Sequence, residues 1–163
     1  MKEHLSPASL AATSFAQTVQ ALLAAPAPLV FLQTQGWLTG PGLAHLVDLA
    51  TEWIGQRPSQ ARLLAEICAQ AAGTIGADEI VPRTAYIRSQ AHAINAEFDH
   101  ALILIEEARA GFMRQHDPLS ALRTSVGRIN VLEQLGRHEE ALSTGQAALQ
   151  LLANLPIDHA SIT

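Results

Sequence analysis

The feature that most restricts the fold of this chain is an internal self-similarity at a distance of forty residues. Aligning Pro82 with Leu122 places Arg83-Thr84 on Arg123-Thr124, Arg88 on Arg128, Ala101-Leu102 on Ala141-Leu142, and Ala108 on Ala148. One step further back, a more degenerate copy starts at Gly42, with Ala61 in register with Ala101 and Cys68 with Ala108. Periods of this size belong to arrays whose units bury their apolar faces only against one another. Small residues returning at two positions fit such an array, because a bulky side chain where helices cross would hold the axes apart and leave voids.

Punctuation inside each copy divides it into two helices. Pro82 suits the first turn of a helix, where its missing N–H has no intrahelical partner to lose, and Tyr86, Ile87, Ala91 and Ile94 continue at helical spacing to about Asn95. A second helix is expected from about Phe98-Asp99 to Arg114, with Ala101, Leu102, Ile105 and Ala108 on its inner face. Asp117-Pro118 opens the next helix as cap and first-turn proline. In the last copy, Ala121 to Leu135 and Glu139 to Ala153 are the expected helices, parted by Gly136 in left-handed geometry. Glu139 and Glu140 then stand in a first turn, where the helix dipole favours negative charge, which explains the doublet without catalysis.

These divisions predict an all-α protein: three helical hairpins at residues 42–81, 82–121 and 122–155, arranged as a right-handed α-solenoid of antiparallel pairs. Residues 1–41 are expected to cap its start with helices at Ala8–Ala24 and Leu29–Leu38, parted by Pro26-Ala27-Pro28. Residues 156–163 form a tail or the start of a further repeat, and the last helix is expected either to be covered by a partner or more chain, or to self-associate. Composition agrees with a helical array: 48% of residues are hydrophobic but only 4% aromatic, so the core must be built from Ala, Leu and Ile.

Leu122 to Leu152, LRTSVGRINVLEQLGRHEEALSTGQAALQLL, resembles the tetratricopeptide repeat consensus in Asn130 of its first helix, the turn glycine Gly136, Glu139-Glu140-Ala141-Leu142 and Ala148-Leu149. The copy beginning at Pro82 resembles it too, with Ala96 in place of the glycine and Phe98 at the usual aromatic position. The common repeat has about 34 residues, so a forty-residue period implies helices longer by about one and a half turns in all. Lengthened repeats of this kind are similar to those of bacterial MalT-like regulators and of arrays joined to a caspase-like CHAT peptidase domain. The stretch FLQTQGWLTGPGLAHLVDLA is similar to the divergent opening of such arrays. The resemblance implies a protein-interaction module, the sensing or docking part of a bacterial signalling or defence protein. Any Cys–His dyad that it implies would lie in a domain outside these residues, and Cys68 does not take that role.

The chain's own residues argue against chemistry. A net charge of −5 gives no basic footprint for nucleic acid. The longest apolar stretch, Ala21 to Leu32, is too short for a membrane span and is broken by Pro26 and Pro28, and the N-terminus lacks a secretory pattern. The lone Cys68 sits among Ala65, Ile67, Ala69 and Ala72, which suits a buried structural thiol of a cytoplasmic protein. The seven histidines are scattered, without the spacing of a helical zinc site. His92 is expected toward the inner side of its helix and His100 in solvent. Phosphate-loop glycines and a nucleophile elbow are both missing. Neither a catalytic residue, a metal nor a cofactor is expected.

Recognition is expected on the first helix of each pair, the side that lines the concave face in such arrays. The candidate residues are Arg83, Tyr86 and Gln90 in one copy and Arg123, Asn130, Glu133 and Gln134 in the next. Asn130 matches the family position that hydrogen-bonds a bound peptide's backbone, and Gln90 stands at the equivalent place one period earlier. Two alternatives stay open: the arginines pair with neighbouring acids on a solvated surface, or the groove receives a small molecule or short signalling peptide.

Overall fold

Prolines start most of the helices, and left-handed residues stop them. The computed structural model describes residues 7–155; residues 156–163, expected to form a tail, lie outside them. Eight helices follow in order among the described residues: α1 (Pro7–Leu23), α2 (Pro28–Thr34), α3 (Gly40–Trp53), α4 (Pro58–Ile75), α5 (Val81–Ile94), α6 (Phe98–Arg114), α7 (Pro118–Gln134) and α8 (His138–Ala153). The described residues contain no strand. Proline occupies the first or second position of α2, α3, α4, α5 and α7. There it removes only an N–H that the helix could not have used. Thr39 and Asp117 add side-chain caps, accepting from the backbone N–H of Gly42 at 3.1 Å and of Ser120 at 3.0 Å.

The stops share one device. Gly36, Gly76, Ala96, His116 and Gly136 all have positive φ, between 57° and 72°. After each, the next residue donates its N–H to the carbonyl five positions back: Trp37 to Leu32, Ala77 to Ala72, Glu97 to His92, Asp117 to Phe112 and Arg137 to Leu132, at 2.8 to 3.0 Å. This closure satisfies carbonyls that a helix end would otherwise leave open. Ala96 and His116 adopt it without glycine's freedom. The ends of α1, α3 and α8 depart from the pattern and have no left-handed residue among those described; after α3 the Arg57 guanidinium lies 5.6 Å from the Trp53 ring centre.

Consecutive helices from α3 to α8 pack against one another. The second helices of the three pairs, α4, α6 and α8, begin at Pro58, Phe98 and His138, forty residues apart. Ala61, Ala101 and Ala141 accordingly take the same place near the start of α4, α6 and α8, and all three are buried. Cys68 and Ala108, one turn pair later, are fully buried, and Ala148 is half-buried. Between α5 and α6 the approach is closer still: a side chain at Gly111 would meet Pro82 Cγ at 2.4 Å. The first helices also touch one another, α3 with α5 and α5 with α7, whereas α4, α6 and α8 make no such contact. The row of first helices is therefore the tighter side of the array. At the N-terminal end, α1 and α2 lie on α4 and bury Val19, Leu22 and Leu32.

Several boundaries differ from those expected. α2 stops at Thr34 instead of Leu38, because Gly36 turns left-handed and Trp37 and Leu38 close back on the Leu32 carbonyl. α7 starts at Pro118 behind the Asp117 cap, as that cap and first-turn proline led one to expect, three residues ahead of Ala121, where the last copy's helix was drawn. α3 starts at Gly40, two residues ahead of Gly42, behind the Thr39 cap.

Ala101 sits in a cluster with Ile105 and Val131. Ala101→Leu would overfill this crossing and is expected to lower stability by about 1–3 kcal/mol, read as a lower midpoint in urea unfolding. Ala96→Gly acts in the other direction. Relief of the left-handed penalty, about 1–2 kcal/mol, outweighs the added freedom of glycine in the unfolded chain, about 0.4–1 kcal/mol, so the same measurement should show a gain of about 0.5–1 kcal/mol.

Candidate functional site

The repeated Arg-Thr pair shows how the first helices present their side chains. In α5 and α7 alike the threonine is buried and its hydroxyl donates to its own helix, Thr84 to the Val81 carbonyl at 2.8 Å and Thr124 to the Ala121 carbonyl at 2.6 Å. One residue earlier, Arg83 and Arg123 face outward on the side that α3, α5 and α7 share.

That side holds two adjoining grooves, each of about 670 Å³. One runs between α5 and α7 and contains Tyr86, Gln90, Asn130, Glu133 and Gln134 beside apolar Ile94, Phe98, Val126 and Val131. The other lies beside α3 and contains Arg83, Tyr86, Gln90 and Arg123, with Ile80, Ile87 and Phe112 and the polar Gln115, Asp117 and Ser120. Tyr86 and Gln90 line both, so the seven residues singled out from the sequence fall along one continuous surface in two groups.

Tyr86 forms the ridge between the grooves. Its hydroxyl donates to the Arg123 carbonyl at 3.2 Å, and its ring lies so close to Gly127 that an added Cβ would be 3.3 Å from it. Burial pushes the Tyr86 hydroxyl above its ordinary pKa against the opposing pull of the Arg123 charge, so it stays a neutral donor. Sequence reasoning missed Gly127, although a signal existed: an isolated glycine within a helical pattern weakens the helix by about 1 kcal/mol and implies a packing reason.

The charges divide the two arginines. Arg83 is paired with Asp48 of α3, a partly exposed pair of the kind that adds about 0–1 kcal/mol. Arg123 has no ion pair among the described residues, so the solvated-pair alternative describes Arg83 and not Arg123. Glu133 meets His138 at 3.1 Å across the α7–α8 turn. Arg128, which shares a register with Arg88, turns away from the grooves to bond Glu106 and Thr144. Gln115, also not foreseen, donates to the Asp78 carbonyl at 2.9 Å and ties the α4–α5 and α6–α7 turns together at the floor. Among the described residues neither the Gln90 nor the Asn130 amide has an intramolecular hydrogen-bond partner, so both can serve a ligand.

Outside the grooves, burial pushes the Cys68 thiol up to about 12, which keeps it protonated and a poor nucleophile. His92 is mostly buried, pairs with Glu97 and stacks on exposed His100 at 5.6 Å. Among the described residues no three His, Cys, Asp or Glu side chains are grouped to hold a metal ion, and no helix is long and apolar enough to cross a membrane.

No family model, curated protein or solved structure matches this chain. The reading of the site therefore stands on its own side chains.

Asp117 ties the second groove to the start of α7. Its hydrogen bond with Ser120 holds its carboxyl below the ordinary value of 3.8. A depressed folded pKa adds stability above the unfolded value, and that stability is lost as pH falls through the folded one. Asp117→Ala is accordingly expected to lose about 1 kcal/mol near neutral pH. The gap between wild type and variant should narrow as urea titrations are repeated from pH 6 down through the range where Asp117 takes up its proton.

Proposed function

We propose that this chain is a non-catalytic helical-repeat module of the tetratricopeptide type, with long repeats similar to MalT-like arrays, that binds another protein or peptide along α3, α5 and α7. The observation that carries this reading is the pairing of two amides without an intramolecular partner among the described residues, Gln90 and Asn130, with apolar wells on one side of the molecule. An extended peptide offers a donor or acceptor at each residue and side chains to either side, which is the complement of such a surface. The contact of first helices with one another, and its absence among α4, α6 and α8, supports a concave inner row and thus a solenoid. In this reading the solenoid is right-handed, residues 1–41 cap it, and the protein works in the cytoplasm as the sensing or docking part of a bacterial signalling or defence system, with any CHAT-type effector in another domain.

The groove volumes, about 670 Å³ each, also lie within the range of small-molecule pockets, so a metabolite or short signalling peptide is the second reading. Thermal shift against metabolites, beside affinity capture from the source cell, separates the two.

The double variant Gln90→Ala/Asn130→Ala removes two hydrogen bonds of about 0.5–1.5 kcal/mol each, so affinity for the captured partner should fall roughly 5- to 150-fold with helicity unchanged. An unaltered dissociation constant in titration calorimetry would remove both amides from the site.

A further inference from the structure

The two wells that Tyr86 divides differ in chemistry. The well between α5 and α7 is walled by Ile94, Phe98, Val126 and Val131, and the one charged group on its lining, Glu133, is met by His138 at 3.1 Å. The well beside α3 carries four charged side chains, Glu79, Arg83, Asp117 and Arg123. The protein itself engages three of them. Arg83 pairs with Asp48, Asp117 accepts the Ser120 N–H at 3.0 Å, and the Glu79 carboxylate lies against Gly40 in the first turn of α3, where the helix dipole favours it. Arg123 is different. It is exposed, and among the described residues its guanidinium has no ion-pair or hydrogen-bond partner.

We propose that the bound peptide sets the carboxylate of an acidic side chain against Arg123 and, two or four residues away across Tyr86, a large apolar side chain in the α5–α7 well. This rests on the peptide-binding reading of the same surface and specifies which peptides the surface takes.

Spacing on α7 supplies the interval. Val126 and Val131 stand three and eight residues beyond Arg123, about 5 to 12 Å along the axis at 1.5 Å per residue. An extended chain advances about 3.3 Å per residue and turns every second side chain toward the same side, so the apolar residue falls two or four places from the acid. The Tyr86 hydroxyl, bonded to the Arg123 carbonyl at 3.2 Å, fixes the backbone beneath the guanidinium, and buried Thr124 anchors the next residue.

Charge supplies the selectivity. A guanidinium presents a planar fork of donors that a carboxylate accepts through two parallel bonds, whereas a neutral amide returns less. Glu133, at the far end of the apolar well, repels an acid placed there, and the net charge of −5 disfavours acids elsewhere along the peptide. An acid is therefore welcome at one position only, and this fixes the register in which the peptide lies.

Random dodecapeptides displayed between two coat-protein segments, so that neither terminus is free, test this by selection on the full chain. The selected peptides are expected to share Asp or Glu two or four places from Leu, Ile, Met or Phe. The best of them is then made with acetylated and amidated ends and titrated calorimetrically. Exchanging its acid for the corresponding amide should weaken binding roughly tenfold, as expected for a charge-assisted hydrogen bond, and the loss should shrink as salt is raised. With the circular dichroism unchanged, Arg123→Gln should bind the acid and amide peptides equally, and Arg123→Glu should prefer lysine in that place. Arg109→Gln, at an exposed arginine of α6 outside both wells, should keep the tenfold preference. Selected peptides without the acid and apolar pair at this spacing, or an acid preference that survives Arg123→Gln, overturn this inference and leave the peptide-binding reading standing. Failure to select any peptide overturns both.

Discussion

Close approach of helix backbones at a few small residues sets the geometry of the rest of this protein. Ala61, Ala101 and Ala141 are buried near the starts of α4, α6 and α8, and Gly111 admits the Pro82 ring where any side chain would collide with it. With few aromatics to fill space, the interior depends on short distances between axes, since a void lined by Ala and Leu forfeits contacts that nothing else restores. The direction in which each helix leaves its partner, and so the row of side chains on α3, α5 and α7, follows from those contacts.

Much of this was legible in the sequence because its punctuation is chemical. Pro82, Pro118 and Gly136 mark helix ends through a missing donor or a left-handed backbone, both properties of single residues. Ala96 could be recognised as a stop only because Gly136 stands forty residues later; alone, alanine reads as a helix former. His116 carried no such signal, and its left-handed backbone is imposed by the closure of α6 on Asp117. The end of α3 was obscure for the opposite reason, as the expected kind of stop is not used there. Short helices are equally hard to delimit: Trp37 and Leu38 suit a continued helix by composition, yet the backbone closes at Gly36.

The candidate surface was legible as a set of positions but not as a shape. Spacing could place Gln90 and Asn130 on one side; it could not show that Tyr86 splits that side into two wells, since the ring rests against Gly127, forty-one residues away in sequence. Nor could spacing separate Arg83 from Arg123. Their identical registers suggest identical roles, and only Asp48, supplied by α3, makes the first an ion-paired strut and leaves the second available.

The two rows of helices are joined differently: the backbones of α3, α5 and α7 approach one another, and those of α4, α6 and α8 do not. Along the first helices the Tyr86 hydroxyl of α5 also bonds across to α7, whereas between α4 and the start of α6 the tie is the exposed Arg62–Glu97 ion pair at 3.9 Å. Because Tyr86 and Gln90 line both wells, a ligand that moves the α5 backbone in one well shifts a wall of the other as well.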